Sequence, residues 1–133
     1  MTLVDLSSEA RAAVFEAVAA AAGQDWPVFD TVPENTRPNF LKVAAVDSSN
    51  ESRPGEQLER IVVDLIGVYQ GEDRGVLGAM MFAARRAIDG RSLATGAAMF
   101  GQCRFVTGAL SDAGEDGITY VALSRFELIG EPA

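Results

Sequence analysis

The pattern of apolar and polar positions is clearest over residues 57–90, Q-L-E-R-I-V-V-D-L-I-G-V-Y-Q-G-E-D-R-G-V-L-G-A-M-M-F-A-A-R-R-A-I-D-G. Ile61, Val63, Leu65 and Tyr69 share one face of a predicted strand, and Val62, Ile66 and Val68 share the other, with Arg60 and Asp64 interleaved. A strand with one wet face would alternate apolar and polar residues, so apolar residues on both faces mean that both need covering. In the helix that follows, Asp73 is placed to cap the N-terminus and Gly90 to end the C-terminus. Leu77, Met80, Met81, Ala84 and Ile88 recur at helical spacing, and Arg85 and Arg86 sit in the last turn, where cations suit the helix dipole.

The rest of the chain falls into similar pieces. A first helix is predicted from a Ser7 or Ser8 cap to about Ala22, with Val14, Phe15, Val18 and Ala22 as its stripe and Gly23 as its stop. Residues 28–32 form a short extended piece before Pro33, and residues 34–38 carry turn chemistry. A second twice-apolar strand runs from Phe40 to Val46, with Phe40, Ala44 and Val46 set against Leu41, Val43 and Ala45. The polar run 47–56, D-S-S-N-E-S-R-P-G-E, is longer than a hairpin needs. It is either a mobile surface loop or a contact element. Residues 91–98 read as a connector. The strands 99–109 and 118–129 read as a closing hairpin about the turn 111–117. The order predicts an α+β fold, a largely antiparallel four- to five-stranded sheet with two packing helices.

At 133 residues this is one domain, 1–133, with enough chain to bury a core. No apolar run is long enough to span a membrane, and residues 1–9 lack the basic and apolar regions of a signal peptide, so export is not expected. The lone Cys103 fits a reducing cytoplasm. A net charge of −8, from 19 acidic and 11 basic residues, disfavours phosphate gripping and specific nucleic-acid binding.

Candidate chemistry is sparse. With no histidine, Cys103, Ser48, Ser49 and Ser52 lack the usual general base, and Cys103 in a strand reads as a small buried hydrophobe. No phosphate-binding glycine motif occurs. Asp112-x-Gly114-x-Asp116 approaches a calcium loop, but Gly114 and Leu123 stand where oxygen ligands belong, which leaves a solvated turn. Asp64 near Arg60 suggests a polar patch or an ion pair. No enzyme, cofactor or metal is expected.

The order of motifs resembles the tail-completion, or tail-terminator, proteins of long-tailed bacteriophages and gene-transfer agents. The likeness is carried by S-E-A-R-A-A-V-F-E-A-V and P-V-F-D-T-V-P-E-N-T-R-P-N-F-L-K-V, in which Val28, Phe29, Asp30, Val32, Pro33, Pro38 and Phe40 hold the family's positions. The strand 61–69 and the final Ser124-Arg125-Phe126-Glu127 continue it. Two departures are Asn39-Phe40, where a tyrosine often follows the proline, and Glu127 in place of a common arginine. The resemblance implies a structural virion protein, made in the bacterial host cytoplasm and residing at the head–tail junction. It implies a homo-oligomeric ring, usually a hexamer, that caps the tail tube, meets the head connector and lets DNA pass through its hole. A head–tail connector or stopper is the alternative, and a small-ligand-binding α+β domain is a third reading. An acidic protein suits a passage that must not hold DNA. If both helices lie on one side of the sheet, the face of Val62, Ile66 and Val68 becomes the expected subunit interface. The run holding Asp47, Ser48, Ser49, Asn50, Glu51 and Arg53 is the expected contact with the tube or the next ring.

Overall fold

The computed structural model describes residues 3–51 and 53–133; Met1, Thr2 and Ser52 lie outside the described residues. Helix α1 spans Leu6–Ala22 and α2 spans Arg74–Ile88. The cap of α1 is Asp5, not a serine: its carboxylate accepts from the Ser8 backbone N–H at 3.2 Å and from the Ser8 hydroxyl at 2.7 Å. The fixed negative charge also meets the positive end of the helix dipole. Asp73 caps α2 as expected, accepting from Gly75 N–H at 2.9 Å, and all five residues of its predicted stripe are buried. Gly90 ends this segment at φ +76°, a conformation that an L side chain resists.

Seven strands are found among the described residues: β1 Val28–Phe29, β2 Phe40–Asn50, β3 Glu59–Gln70, β4 Ser92–Ala94, β5 Ala98–Gln102, β6 Arg104–Leu110 and β7 Thr119–Pro132. They form one sheet in the order β1-β2-β3-β7-β5-β4, with β6 also paired to β7. The β1–β2 pair is parallel and the others are antiparallel. The mixed α+β class and the two helices match expectation, but the sheet has more strands than four or five. β1 is the first two residues of the extended piece 28–32, and the additions are the three-residue β4, in the connector 91–98, and the division of the strand 99–109 into β5 and β6. The predicted strand 99–109 is also broken in two at Cys103, whose N–H donates to Arg91 C=O and whose C=O accepts from Gly90 N–H, both at 2.8 Å. Those bonds tie the strand to the end of α2.

A bulge in β2 corrects the predicted faces of that strand. Val43 pairs with Leu65 and Val46 with Val63, so Ala44 and Ala45 together oppose Asp64. The extra residue reverses the alternation, and Val46 joins Leu41 and Val43 instead of Phe40 and Ala44. The polar run is corrected too. Asp47–Asn50 is the end of β2, paired through Ser48–Ile61 and Asn50–Glu59, and only residues 51–58 connect the strands.

Both helices pack on one side of the sheet. Val14 and Val18 of α1 and Leu77, Ala84 and Ile88 of α2 share a core with Leu41, Ile61, Val63, Leu65, Phe126 and Leu128. Each large side chain fully removed from water there contributes about 1.5–3 kcal/mol. Gly67 lets α2 come close: a Cβ at that position would lie 2.7 Å from Met81 Sδ and 2.9 Å from Leu77 Cδ1.

Candidate assembly surface

With α1 and α2 on the same side, the opposite face of the sheet has no helix over it among the described residues. Pairing registers place Phe40 beside Val68, Val68 beside Val121, and Ile66 between Lys42 and Leu123. Val62, Ile66 and Val68 are half-buried, because lateral neighbours shield their flanks while their tips remain in water. Val121 is 43% exposed and Val106 is 41% exposed. Phe29 of β1 meets Phe40 edge-on at 6.0 Å and extends the apolar end of the sheet. Phe40, Ile66, Val68, Val121 and Leu123 thus form an apolar area on this face, while Val62 lies apart from it between Asp47 and Glu127.

A polar band crosses the other half of this face. Asp64, nearly buried, is paired with Arg125 and not with Arg60: the Arg125 Nε–Oδ1 distance is 2.8 Å and the Nη2–Oδ2 distance 3.1 Å. The bidentate contact raises the Arg125 pKa further above its ordinary value, first through the hydrogen bond to Asp64 and then through its charge. Arg60 reaches Glu51 at 3.1 Å and Glu127 at 3.8 Å, and Glu127 also accepts from Arg104 at 3.3 Å. Arg60 and Asp64 share a face, but two strand repeats separate them, whereas Arg125 lies directly opposite Asp64 on β7. The alternation within β7 was visible in the sequence; its register against β3 was not.

Of the expected contact residues, Asp47, Ser48, Ser49 and Asn50 lie in the exposed end of β2, and Glu51 and Arg53 lie in the connection beyond it. This β2–β3 arm is braced at its base. Gln57 accepts from Val4 N–H at 3.0 Å and donates to Val4 C=O at 2.8 Å and to Glu59 at 2.7 Å. Arg53 N–H donates to Glu56 at 3.3 Å, and Glu51 N–H to Leu58 C=O at 2.9 Å. The arm is a hydrogen-bonded ribbon tied to the segment before α1.

Other chemistry is structural in character. Cys103 is buried, and desolvation, aided by the Asp89 charge, pushes its thiol up to about 11, away from nucleophilic use. Asp116 accepts from the N–H groups of Ile118 and Thr119 at 3.0 and 2.9 Å and from the Thr119 hydroxyl, which holds its carboxyl at about 2. That is the organisation of a tight hairpin turn. Among the described residues no three His, Cys, Asp or Glu side chains are placed to hold a metal, and no helix is long and apolar enough to cross a membrane. A groove of about 370 Å³ between α2 and β6 is lined by Gly78, Phe82, Leu110 and Phe105, with the Arg85 guanidinium 3.8 Å from the Phe105 ring centroid.

No protein-family model matches the chain, and no curated protein does. Its overall shape does have a counterpart. A chain in the virion of a native gene transfer agent particle superposes with a TM-score of 0.77 at 12% identity, over 96% of this chain and 99% of that one. The two share a fold.

Proposed function

We propose that this chain is a structural virion protein, the subunit of a ring that terminates a tail tube and joins it to the head connector. The observation carrying the proposal is a whole-length likeness in fold to a chain of a gene transfer agent virion. It is supported by the helix-free sheet face, which a neighbouring copy would cover through Val62, Ile66 and Val68. In this reading the ring is a hexamer. The braced arm, with Asp47, Ser48, Ser49, Asn50, Glu51 and Arg53, meets the tube or the next ring, and the acidic balance of −8 lets DNA pass without being held. No catalytic step is assigned.

Electron microscopy of the purified protein, alone and mixed with tail tubes, tests the proposal. Annular particles, seated at one end of each tube, are the expected result. Rings that bind a head connector and ignore tube ends would make the protein a stopper instead. Compact monomers that ignore tube ends, with a ligand held in a cleft, would overturn the assembly role.

A further inference from the structure

The sheet has two open margins, and we propose that they are the two halves of one seam: the outer edge of β6 in one copy pairs, antiparallel, with the outer edge of β2 in the next. The proposal rests on the ring reading and adds to the face contact through Val62, Ile66 and Val68 a main-chain contact between the edges of neighbouring copies.

Hydrogen bonds at the strand ends fix which main-chain groups point outward. On β6, Ser111 N–H donates inward to Val121 C=O at 2.9 Å, so alternation turns the N–H and C=O of Leu110 and Gly108 away from β7. On β2, Glu51 N–H donates inward to Leu58 C=O at 2.9 Å, which turns those of Ser48 and Val46 outward. The short β1 covers only Leu41 and Lys42 of that margin. Neither 46–50 nor 104–110 contains a proline or lysine, the residues that usually keep an edge strand from pairing.

Direction and side also agree. Successive antiparallel pairings, β2–β3, β3–β7 and β7–β6, leave β6 antiparallel to β2 within one copy. Rotating a copy about an axis along the strands preserves direction, so the next β2 meets β6 antiparallel. On both edges the outward residues lie in register with the helix side: Val46, Ser48 and Leu110 carry their side chains there, and Gly108 is paired with Ser124, whose side chain points the same way. Pairing Leu110 with Val46 and Gly108 with Ser48 therefore keeps the helix layer continuous and sets Val46 against the 42% exposed Leu110. Leu110 is also a wall of the α2–β6 groove. On the helix-free face the same register sets Ala109 opposite Asp47, one strand from Val62.

Ala109 and Asp47 would form a non-hydrogen-bonded pair, with Cα atoms about 4.5 Å apart, within the span a disulfide bridges. The test is the double variant Asp47→Cys/Ala109→Cys, oxidised after assembly and run on a non-reducing denaturing gel. The expected result is a ladder of covalently linked subunits up to the full ring, absent in either single variant. Buried Cys103, with its thiol pushed up to about 11, does not compete. Ser48→Pro removes one outward N–H from an exposed edge position and is expected to keep native circular dichroism while annular particles are lost. Rings that form but yield no ladder, or that survive Ser48→Pro, would overturn the seam and leave the ring standing. An unmodified protein that never forms rings, with or without tube ends, would overturn both.

Discussion

Asp64 and Arg125 face each other across β3 and β7 in a two-point contact of 2.8 and 3.1 Å, in the middle of the face that no helix covers. The pair is lopsided. The carboxylate is nearly buried, while the arginine side chain is 44% exposed. Removing the arginine strands a desolvated charge, whereas removing the carboxylate returns an arginine to water. Arg125→Ala is thus expected to lower the urea midpoint more than Asp64→Ala, with the double variant close to Asp64→Ala. Equal losses in the two single variants would show that the contact is no more than a surface ion pair.

Close approach of helix and sheet depends on Gly67. Its missing Cβ leaves room for Met81, Leu77 and Leu41, whose nearest atoms would lie 2.7, 2.9 and 3.1 Å from an added methyl group. Gly67→Ala is expected to cost about 1–3 kcal/mol through overpacking. Gly96, with nothing within 4 Å and no positive φ, is the control, and Gly96→Ala is expected to change stability by less than about 0.5 kcal/mol. Chemical denaturation of the two variants measures the difference.

Long periodic segments were legible from the sequence because burial writes its own period into them. The stripe of α2, the two-faced β3 and the alternation of β7 lie where their periods put them, whereas the other arm of the closing hairpin breaks at Cys103 and shifts register between Phe105 and Thr107. The pieces that were not legible lack such a period. β4 is too short to show one and is held by its neighbour's main chain. The bulge at Ala44 and Ala45 reverses faces without any glycine or proline to announce it. For the candidate surface, residue types were readable but exposure was not. Val62, Ile66 and Val68 become an open face only because α1 packs beside α2 and not on the far side of the sheet, a tertiary choice. The Asp64–Arg125 contact likewise needs a register between strands 61 residues apart.

The β6–β7 turn carries its own acid sensitivity. Asp116 is depressed from 3.8 to about 2, chiefly by the hydrogen bond from the Thr119 hydroxyl and then by the Ile118 and Thr119 N–H groups. A folded-state pKa below the unfolded value stabilises above the unfolded pKa and is lost as pH falls through the folded one. The thermal midpoint gap between the native protein and Asp116→Asn is therefore expected to be constant above about pH 5 and to shrink from about pH 4 to about 2. A gap unchanged across that window would mean that the carboxylate charge plays no part in holding the turn.

Cys103 gives the opposite limb. Its folded-state thiol, raised from 9.0 to about 11 by burial and by Asp89, favours the neutral form, so its contribution is complete below pH 9 and is lost as pH rises through about 11. Two outcomes are expected. Iodoacetamide at pH 8 leaves the folded protein unlabelled and labels it in urea, and Cys103→Ala flattens the alkaline decline in thermal midpoint. Rapid labelling of folded protein at pH 8 would contradict the burial of the thiol.

Replacing Val62 or Ile66 with aspartate tests whether the helix-free face belongs to the subunit or to the assembly. Within one copy these side chains are flanked by strand neighbours but have no second layer above them, so a carboxylate there can still reach water. The expected cost to the isolated subunit is small for Ile66→Asp, of the order of 1 kcal/mol, and larger for Val62→Asp, which sets a third carboxylate between Asp47 and Glu127, both with native circular dichroism and a cooperative melt. Between copies the same carboxylate would be desolvated without a partner at a cost of several kcal/mol per copy, repeated at every contact around a ring. Assembly followed by sedimentation should therefore be lost in Val62→Asp and Ile66→Asp while the monomer stays folded. Unfolding of the monomer would place these residues in its own core, and rings formed at undiminished yield would place the contact between copies elsewhere.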